Sequence, residues 1–184
     1  MNTLTDNSKR YGLITQALHW GVAALTIAAY VTGEVLVGAA DEGKADVMFW
    51  HASLSVLVAV LFVVRAAWRV SQTSPDELNQ NKFMVLAHKL TVLTLYVLPV
   101  ALTVTGALSI LAAGQAVEFF GLDFLAGWTV VDIQLSELTQ ATHVILAHAV
   151  ITVFVLHTLA ALWHQFVKRD GVLTRMLPMS LGKS

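Results

Sequence analysis

The stretch LHWGVAALTIAAYVTGEVLVG, residues 18–38, decides the fold class. It is apolar along nearly its whole length, and a hydrocarbon core about 30 Å thick takes roughly 20 helical residues to cross. His19 stands at its beginning, where a polar ring nitrogen needs a partner. The stretch therefore predicts a membrane-spanning helix and raises the question of what His19 binds.

The composition of the whole chain agrees with a membrane protein. Of its 184 residues, 57% are hydrophobic and only 12% are charged, whereas soluble domains have roughly 25% charged residues. The mean hydropathy is +0.70. There is no cysteine, which excludes disulfides, thiolate metal sites, iron–sulfur clusters and covalent c-type haem attachment. The seven histidines are therefore the main candidates for holding a metal or a cofactor.

Four apolar stretches are long enough to span a bilayer, at residues 13–37, 47–70, 85–112 and 140–167. Backbone groups in lipid must be satisfied within each span, which favours helices. No linker or repeat divides the chain, so we expect one all-α transmembrane four-helix bundle over residues 1–184. The first apolar run is longer than the 7–15 residues of a signal-peptide core, and we expect it to be retained.

The basic residues predict the orientation of the bundle. Ten of the 11 fall on one side, before span 1, around the 2–3 connection and after span 4: Lys9, Arg10, Arg65, Arg69, Lys82, Lys89, Lys168, Arg169, Arg175 and Lys183. The other side has Lys44 among seven acidic residues. This asymmetry predicts that both termini are cytoplasmic. The long 3–4 connection, residues 114–138, alternates aromatic and acidic residues and is expected to lie on the outer interface, partly capping the bundle.

The orientation gives each histidine a depth. His19 and His88 lie near the inner face and His51 near the outer face, while span 4 carries three histidines on one line. The step from His143 to His157 falls about 40° short of four full turns and covers roughly 21 Å of helix axis, and His164 follows about 20° off that line.

Matching depths pairs His19 with His157 and His51 with His143. Two imidazoles from facing helices are what a six-coordinate haem requires. Hydrogen bonding across helices or lining a water cavity is the simpler interpretation for His88 and for His148, which points roughly 140° away from His143. A tetrahedral zinc site usually needs three or four ligands close together, so two pairs at separate depths favour haem.

Four stretches of the chain carry a family pattern: ALHW at 17–20, WHASLSVLVAVLFVVRAAWR at 50–69, LAHKLTVLTLYVLPVALTVTG at 86–106 and HAVITVFVLHTLAALWHQFVKRDGVLTRMLP at 148–178. In them the sequence resembles the bacterial cytochrome b561 family, which is related to the cytochrome b subunits of nickel–iron hydrogenases. They cover nearly the whole chain. The most specific part is the tail, in which two histidines seven residues apart precede KRDGVLTRMLP.

The resemblance implies two b-type haems, each with two axial histidines, in a multi-pass protein of the bacterial inner membrane. Carried over by position, the ligands are His19, His51, His143 and His157. The anionic haem propionates are expected to find cations or polar donors at the interface, and the inner-side candidates are Arg10, Arg69 and His164. Gly33, Gly106 and Gly114 are candidates for close approach of a haem or a helix.

The resemblance also implies electron transfer to or from ubiquinone, with superoxide or another outer donor as a source of electrons. One alternative is a haem-containing anchor subunit that passes electrons from a soluble dehydrogenase or hydrogenase to quinone. Another, of a different class, is a histidine-lined metal or proton transporter. The partners expected are membrane lipid, ubiquinone, an outer-side donor and a second copy of the chain in a homodimer, with no nucleic acid.

Overall fold

Four long helices form most of the molecule. The computed structural model describes residues 4–76 and 82–177, in which α1 is Leu13–Gly38, α2 is Asp41–Ser71, α3 is Lys82–Ala112 and α4 is Ile133–Trp163. A π-helical turn, His164–Lys168, follows α4 directly. Each of the four is long and apolar enough to cross a membrane. The predicted transmembrane four-helix fold is confirmed.

Two helices begin earlier than the apolar pattern predicts. α2 begins at Asp41 rather than 47, and α4 begins at Ile133 rather than 140. The first turn of α2 contains Asp41 and Glu42, whose charges are favourable beside the positive end of the helix dipole. The side chain of Asp132 accepts a hydrogen bond from the Leu135 amide at 3.0 Å and caps α4. These acidic residues therefore stabilise helical turns that precede the apolar stretches of α2 and α4.

The helices pack as two hairpins, α1 with α2 and α3 with α4, and the two hairpins touch each other much less. We call the space between them the seam. Large apolar side chains such as Leu138 and Ile145 point outward and are 65% and 70% exposed. In a membrane these side chains contact lipid, so the outer surface is apolar while the seam is free to hold polar groups.

The 3–4 connection contains a small β-hairpin that the sequence pattern did not predict. Strands β1 (Val117–Phe119) and β2 (Leu122–Leu125) pair antiparallel. Phe120 and Gly121 make the turn with φ of 48° and 82°. The Phe120 amide donates to Ser53 Oγ at 2.9 Å, and Ser53 is fully buried in α2. Since β1 also packs on α3, the hairpin covers this part of the bundle, as expected of a cap.

At the end of the bundle opposite the β-hairpin, the segments before α1, after α2 and after α4 contact one another. The Tyr11 amide donates to the Arg175 carbonyl at 3.2 Å, and Arg175 Nη1 donates to the Asp76 carbonyl at 2.7 Å. The segment before α1, the segment after α2 and the segment after α4 therefore meet. Most of the basic residues assigned to the cytoplasmic side lie at this end, whereas Lys44 lies at the other end, near the start of α2. Lys183 lies outside the described residues.

Candidate functional site

His19 of α1 and His157 of α4 face each other across the seam. Their ring centroids are 6.4 Å apart and their planes are inclined by 61°. Arg65 of α2 places Nη2 at 3.0 Å from His19 Nδ1, and the Trp20 ring packs edge-on against His19 with centroids 5.2 Å apart. The structure brings together the two histidines that the depth argument assigned to the inner level.

His51 of α2 and His143 of α4 form a second facing pair. Their ring centroids are 6.2 Å apart and their planes are inclined by 87°. His51 Nδ1 lies 2.9 Å from the Ala29 carbonyl, and His143 Nδ1 lies 2.9 Å from the Leu102 carbonyl. A carbonyl only accepts, so Nδ1 carries the hydrogen in both rings and Nε2 keeps its lone pair. This is the form in which a histidine binds a metal through Nε2.

Two glycines make room for these rings. A Cβ on Gly33 would lie 3.0 Å from His51 Cε1, and a Cβ on Gly106 would lie 2.7 Å from His143 Cε1. Each glycine lies in the helix that packs on the histidine's own helix, α1 on α2 and α3 on α4. The close approach expected of both glycines is therefore to a histidine ring. Gly114 instead adopts a positive φ of 77° just after α3, where a Cβ would meet Val131.

A cavity of about 970 Å³ opens in the seam around the second pair. His51 and His143 line it together with residues from all four helices, including Tyr30, Glu34 and Pro99. Its walls are mostly apolar. Its volume is at the upper end of the roughly 300–1,000 Å³ typical of cofactor and ligand sites.

The family of cytochrome b561 from prokaryotes matches residues 10–179 of the chain. The chain belongs to this family. Cytochrome b561 homolog 2 of Escherichia coli K12 is 31% identical over 182 residues, which cover 97% of this chain and 96% of that protein. Probable superoxide oxidase CybB of Yersinia pestis is 28% identical over 176 residues, covering 95% and 99%. Cytochrome b562 of Cereibacter sphaeroides is 26% identical over 176 residues, covering 91% and 94%.

Membership confirms the resemblance read from the sequence. The protein is a multi-pass bacterial membrane protein in contact with lipid, it carries b-type haem, and it works in electron transfer.

The two histidine pairs fit the iron of a b-type haem. Metal–imidazole bonds of about 2 Å, with about 1 Å more from each nitrogen to its ring centre, put two axial ring centroids about 6 Å apart. The observed separations are 6.4 and 6.2 Å. Within residues 4–76 and 82–177, no three histidine, aspartate or glutamate side chains converge on one point, so the pairs do not resemble a tetrahedral zinc site.

The three residues predicted to meet haem propionates each have a partner within the protein. Arg10 Nη2 donates to the Leu177 carbonyl at 2.5 Å. Arg69 Nη1 lies 3.9 Å from the buried carboxylate of Asp6. His164 lies at the start of the π-helical turn, with Nδ1 at 2.5 Å from Asp170 Oδ2.

The contact with His164 also acts on Asp170, which lies beyond the span. Burial on its own raises the pKa of Asp170. The hydrogen bonds from His164 and from the Val172 amide outweigh that effect and hold the pKa below its usual value. The roles of Arg10, Arg69 and His164 toward haem stay predictions.

His88 and His148 belong to neither of the two facing pairs. His88 is an electrostatic neighbour of His157. His148 Nδ1 donates to the Val144 carbonyl of its own helix at 2.8 Å, and its Nε2 lies 3.6 Å from Glu34 Oε1. The Tyr30 ring packs edge-on against it, with centroids 6.1 Å apart. His148 therefore lies at the α1–α4 edge of the cavity.

Arg65 is the residue of this site that charge counting missed. Counting placed it with the basic residues around the 2–3 connection. The structure instead places its guanidinium beside His19 of α1 and 5.8 Å from the centroid of the Tyr96 ring of α3. One feature of the sequence did indicate a role for Arg65 in the site. It lies inside the apolar run 47–70 rather than after it, where a charged side chain needs a partner within the protein.

Proposed function

We propose that the chain carries electrons through the bacterial inner membrane with two b-type haems, one at each histidine pair. The observation that supports this most is the pairing itself. Each pair joins one histidine from each hairpin at a spacing that suits two bonds to one iron. Bound haem supplies reversible one-electron Fe(III)/Fe(II) chemistry.

The histidines decide what kind of chemistry is available. With imidazoles on both faces, an iron has no open coordination position, which favours electron transfer over oxygen binding. Hydrogen bonds from Nδ1 to the Ala29 and Leu102 carbonyls hold His51 and His143 in one orientation. His143 and His157 lie roughly 21 Å apart along α4, so the pairs occupy two levels of the membrane.

We place the His19–His157 pair on the cytoplasmic side and the His51–His143 pair on the outer side. Support comes from the basic residues, most of which lie at the end of the bundle where the flanking segments meet. Both termini are then cytoplasmic.

Ubiquinone is the proposed acceptor, and superoxide is the proposed outer donor. One relative with 28% identity is named a probable superoxide oxidase. In the balanced reaction, two superoxide ions, one quinone and two protons give two molecules of oxygen and one hydroquinone. The protein's part is to bind the quinone, to supply the two protons and to keep the two half-reactions apart.

The α1–α4 edge of the cavity supports a quinone-binding role. Because His148 Nδ1 donates to Val144, a neutral His148 presents Nε2 as an acceptor. Together with the nearby Glu34 carboxylate it offers two acceptors for the hydroxyl hydrogens of a hydroquinone. The side chains of His148 and Glu34 are 56% and 49% exposed on membrane-spanning helices. Both side chains line the cavity, and quinones diffuse in the lipid around the bundle.

An anchor subunit for a soluble dehydrogenase is the second candidate, because the same two levels would pass electrons from a bound enzyme to quinone. Family membership favours either of these electron-transfer roles over a metal or proton transporter. The homodimer stays a prediction. Its test is the mass of the detergent-solubilised protein against 19.9 kDa per chain.

Haem content and optical spectra of single-histidine variants test the first proposal. We expect two extractable haems per chain, both low-spin. His51→Ala and His143→Ala should remove the same spectral component, and the double variant should lose little more. His148→Ala is the matched control on α4 and should keep both components. One haem in the wild type, or loss of a component in His148→Ala alone, would refute the assignment.

Reconstituted vesicles test the electron route. Superoxide generated only outside should reduce ubiquinone in the membrane, and the outer-pair variants should lose this activity. Activity that persists without the outer component would contradict transfer through the His51–His143 pair. Activity that appears only when a soluble dehydrogenase is added would favour the anchor subunit.

A further inference from the structure

Arg65 is a cation inside the membrane-spanning part of α2 with no acidic partner. Its side chain is half-buried, and Nη2 lies 3.0 Å from His19 Nδ1. Across the described parts of the chain, no carboxylate comes within 4.0 Å of its guanidinium. Arg69, one turn further along α2, has the buried Asp6. A half-buried cation without an acidic partner is costly in this environment, so the site favours an anion that the described residues do not provide.

The contact between Arg65 and His19 cannot persist once His19 binds iron through Nε2. Arginine has only donors and stays protonated. In the observed contact His19 Nδ1 therefore accepts, which puts the ring hydrogen on Nε2. Coordination through Nε2 moves that hydrogen to Nδ1, and two donors then face each other. His51 has no such conflict, because its Nδ1 already donates to a carbonyl.

We propose that Arg65 binds a haem propionate at the His19–His157 site and so positions the cofactor there; this rests on the proposed haem at that pair. The propionates are the acceptors that arrive with the haem, and the planar guanidinium suits a carboxylate in a two-bond fork. Arg10 and Arg69 are the competing cations, but each already has a protein partner.

The test combines two changes, replacement of Arg65 and removal of the free carboxylates of the haem, and compares their effects singly and together. Full-length wild type, Arg65→Gln, Arg65→Lys and Arg69→Gln are loaded either with haem b or with its dimethyl ester, which lacks free carboxylates. Optical redox titration gives the midpoint potential of each component, and pyridine haemochrome spectra give the haem content. The component that disappears in His157→Ala identifies the site.

With haem b, we expect Arg65→Gln to lower the midpoint potential of the His157-dependent component and to weaken haem retention there. Loss of the cation leaves the propionate charge uncompensated, and that charge favours Fe(III). Arg65→Lys should restore part of the potential, and Arg69→Gln, which removes the partner of Asp6, should have a smaller effect than Arg65→Gln. With the dimethyl ester, Arg65→Gln should retain the cofactor as well as the wild type does, because the ester offers no carboxylate to Arg65. A shift in potential that remains with the ester is the direct effect of the lost charge on the iron.

Three results would overturn the assignment of Arg65. These are unchanged haem retention in Arg65→Gln, an equal loss of retention with the ester, and a larger loss of retention in Arg69→Gln than in Arg65→Gln. If Arg65→Gln does not accumulate, the comparison of Arg65→Lys with the wild type in both cofactors decides in the same way. Absence of any component that depends on His157 would instead refute the haem proposal itself, and that outcome is recognised before Arg65 is altered.

Discussion

Replacing Gly106 by alanine should disturb the His51–His143 site through a single added methyl group. The new Cβ would lie 2.7 Å from His143 Cε1, whereas ordinary contact begins near 3.4 Å. The His143 ring would therefore have to move by about 0.7 Å, judged against the roughly ±0.2 Å over which metal–ligand distances vary. We expect the outer component to lose its low-spin spectrum or its haem, while the His157-dependent component stays unchanged.

Two other glycines provide graded controls. A Cβ on Gly33 would fall 3.0 Å from His51 Cε1, so Gly33→Ala needs a movement of about half that size and should cause a smaller shift of the same component. Gly21, in α1, has no atom within 4 Å of its added Cβ. All three substitutions gain roughly 1 kcal/mol of helix propensity. A defect in Gly106→Ala that is absent from Gly21→Ala therefore arises from the contact with the ring.

The measurement is the reduced-minus-oxidised spectrum at low temperature, with haem content normalised to protein. Two intact low-spin components in Gly106→Ala, at wild-type midpoint potentials, would mean that His143 as placed is not an iron ligand. Loss of both components would point to a general folding defect, and the Gly21→Ala control would then be compared in the same preparation.

Four further outcomes follow from the structure. A reporter fused after Ser184 should mature only in the cytoplasm, and a periplasmic signal would reverse the proposed levels. His148→Ala should keep both haems yet slow quinone reduction, and unchanged turnover would remove His148 from the quinone site. Ser53→Ala should leave the Phe120 amide without its protein acceptor, at a cost of about 1 kcal/mol, and should speed proteolysis of the β-hairpin. Asp132→Ala should destabilise α4 by about 1 kcal/mol in thermal unfolding, whereas Asp132→Asn should stay near the wild type.

The helical parts of the site were predictable because helices are locally periodic. The angle between His143 and His157, and the depth of His19 and His51, follow from residue spacing alone. The structure places these four rings in the two pairs that spacing predicts.

What could not be predicted depends on contacts between distant segments. The β-hairpin needs Ser53 of α2 to hold the Phe120 amide, and the strands are too short to show alternation. The inward turn of Arg65 depends on His19, 46 positions away. The early start of α4 depends on the cap formed by Asp132, which a window of hydropathy does not detect.

The division into two helical hairpins has a consequence for how the protein is made. Each histidine pair takes one ring from the first hairpin and one from α4, the last helix to leave the ribosome. Neither site can close until the whole bundle has been synthesised, so cofactor insertion comes late, after both hairpins are in the lipid. A cofactor bound by either histidine pair also links the first hairpin to the second. The chain can be produced in one cell as two fragments, one ending at residue 76 and the other starting at residue 82. The amount of associated fragments should rise with the haem supply, and the fragments should dissociate when haem synthesis is blocked.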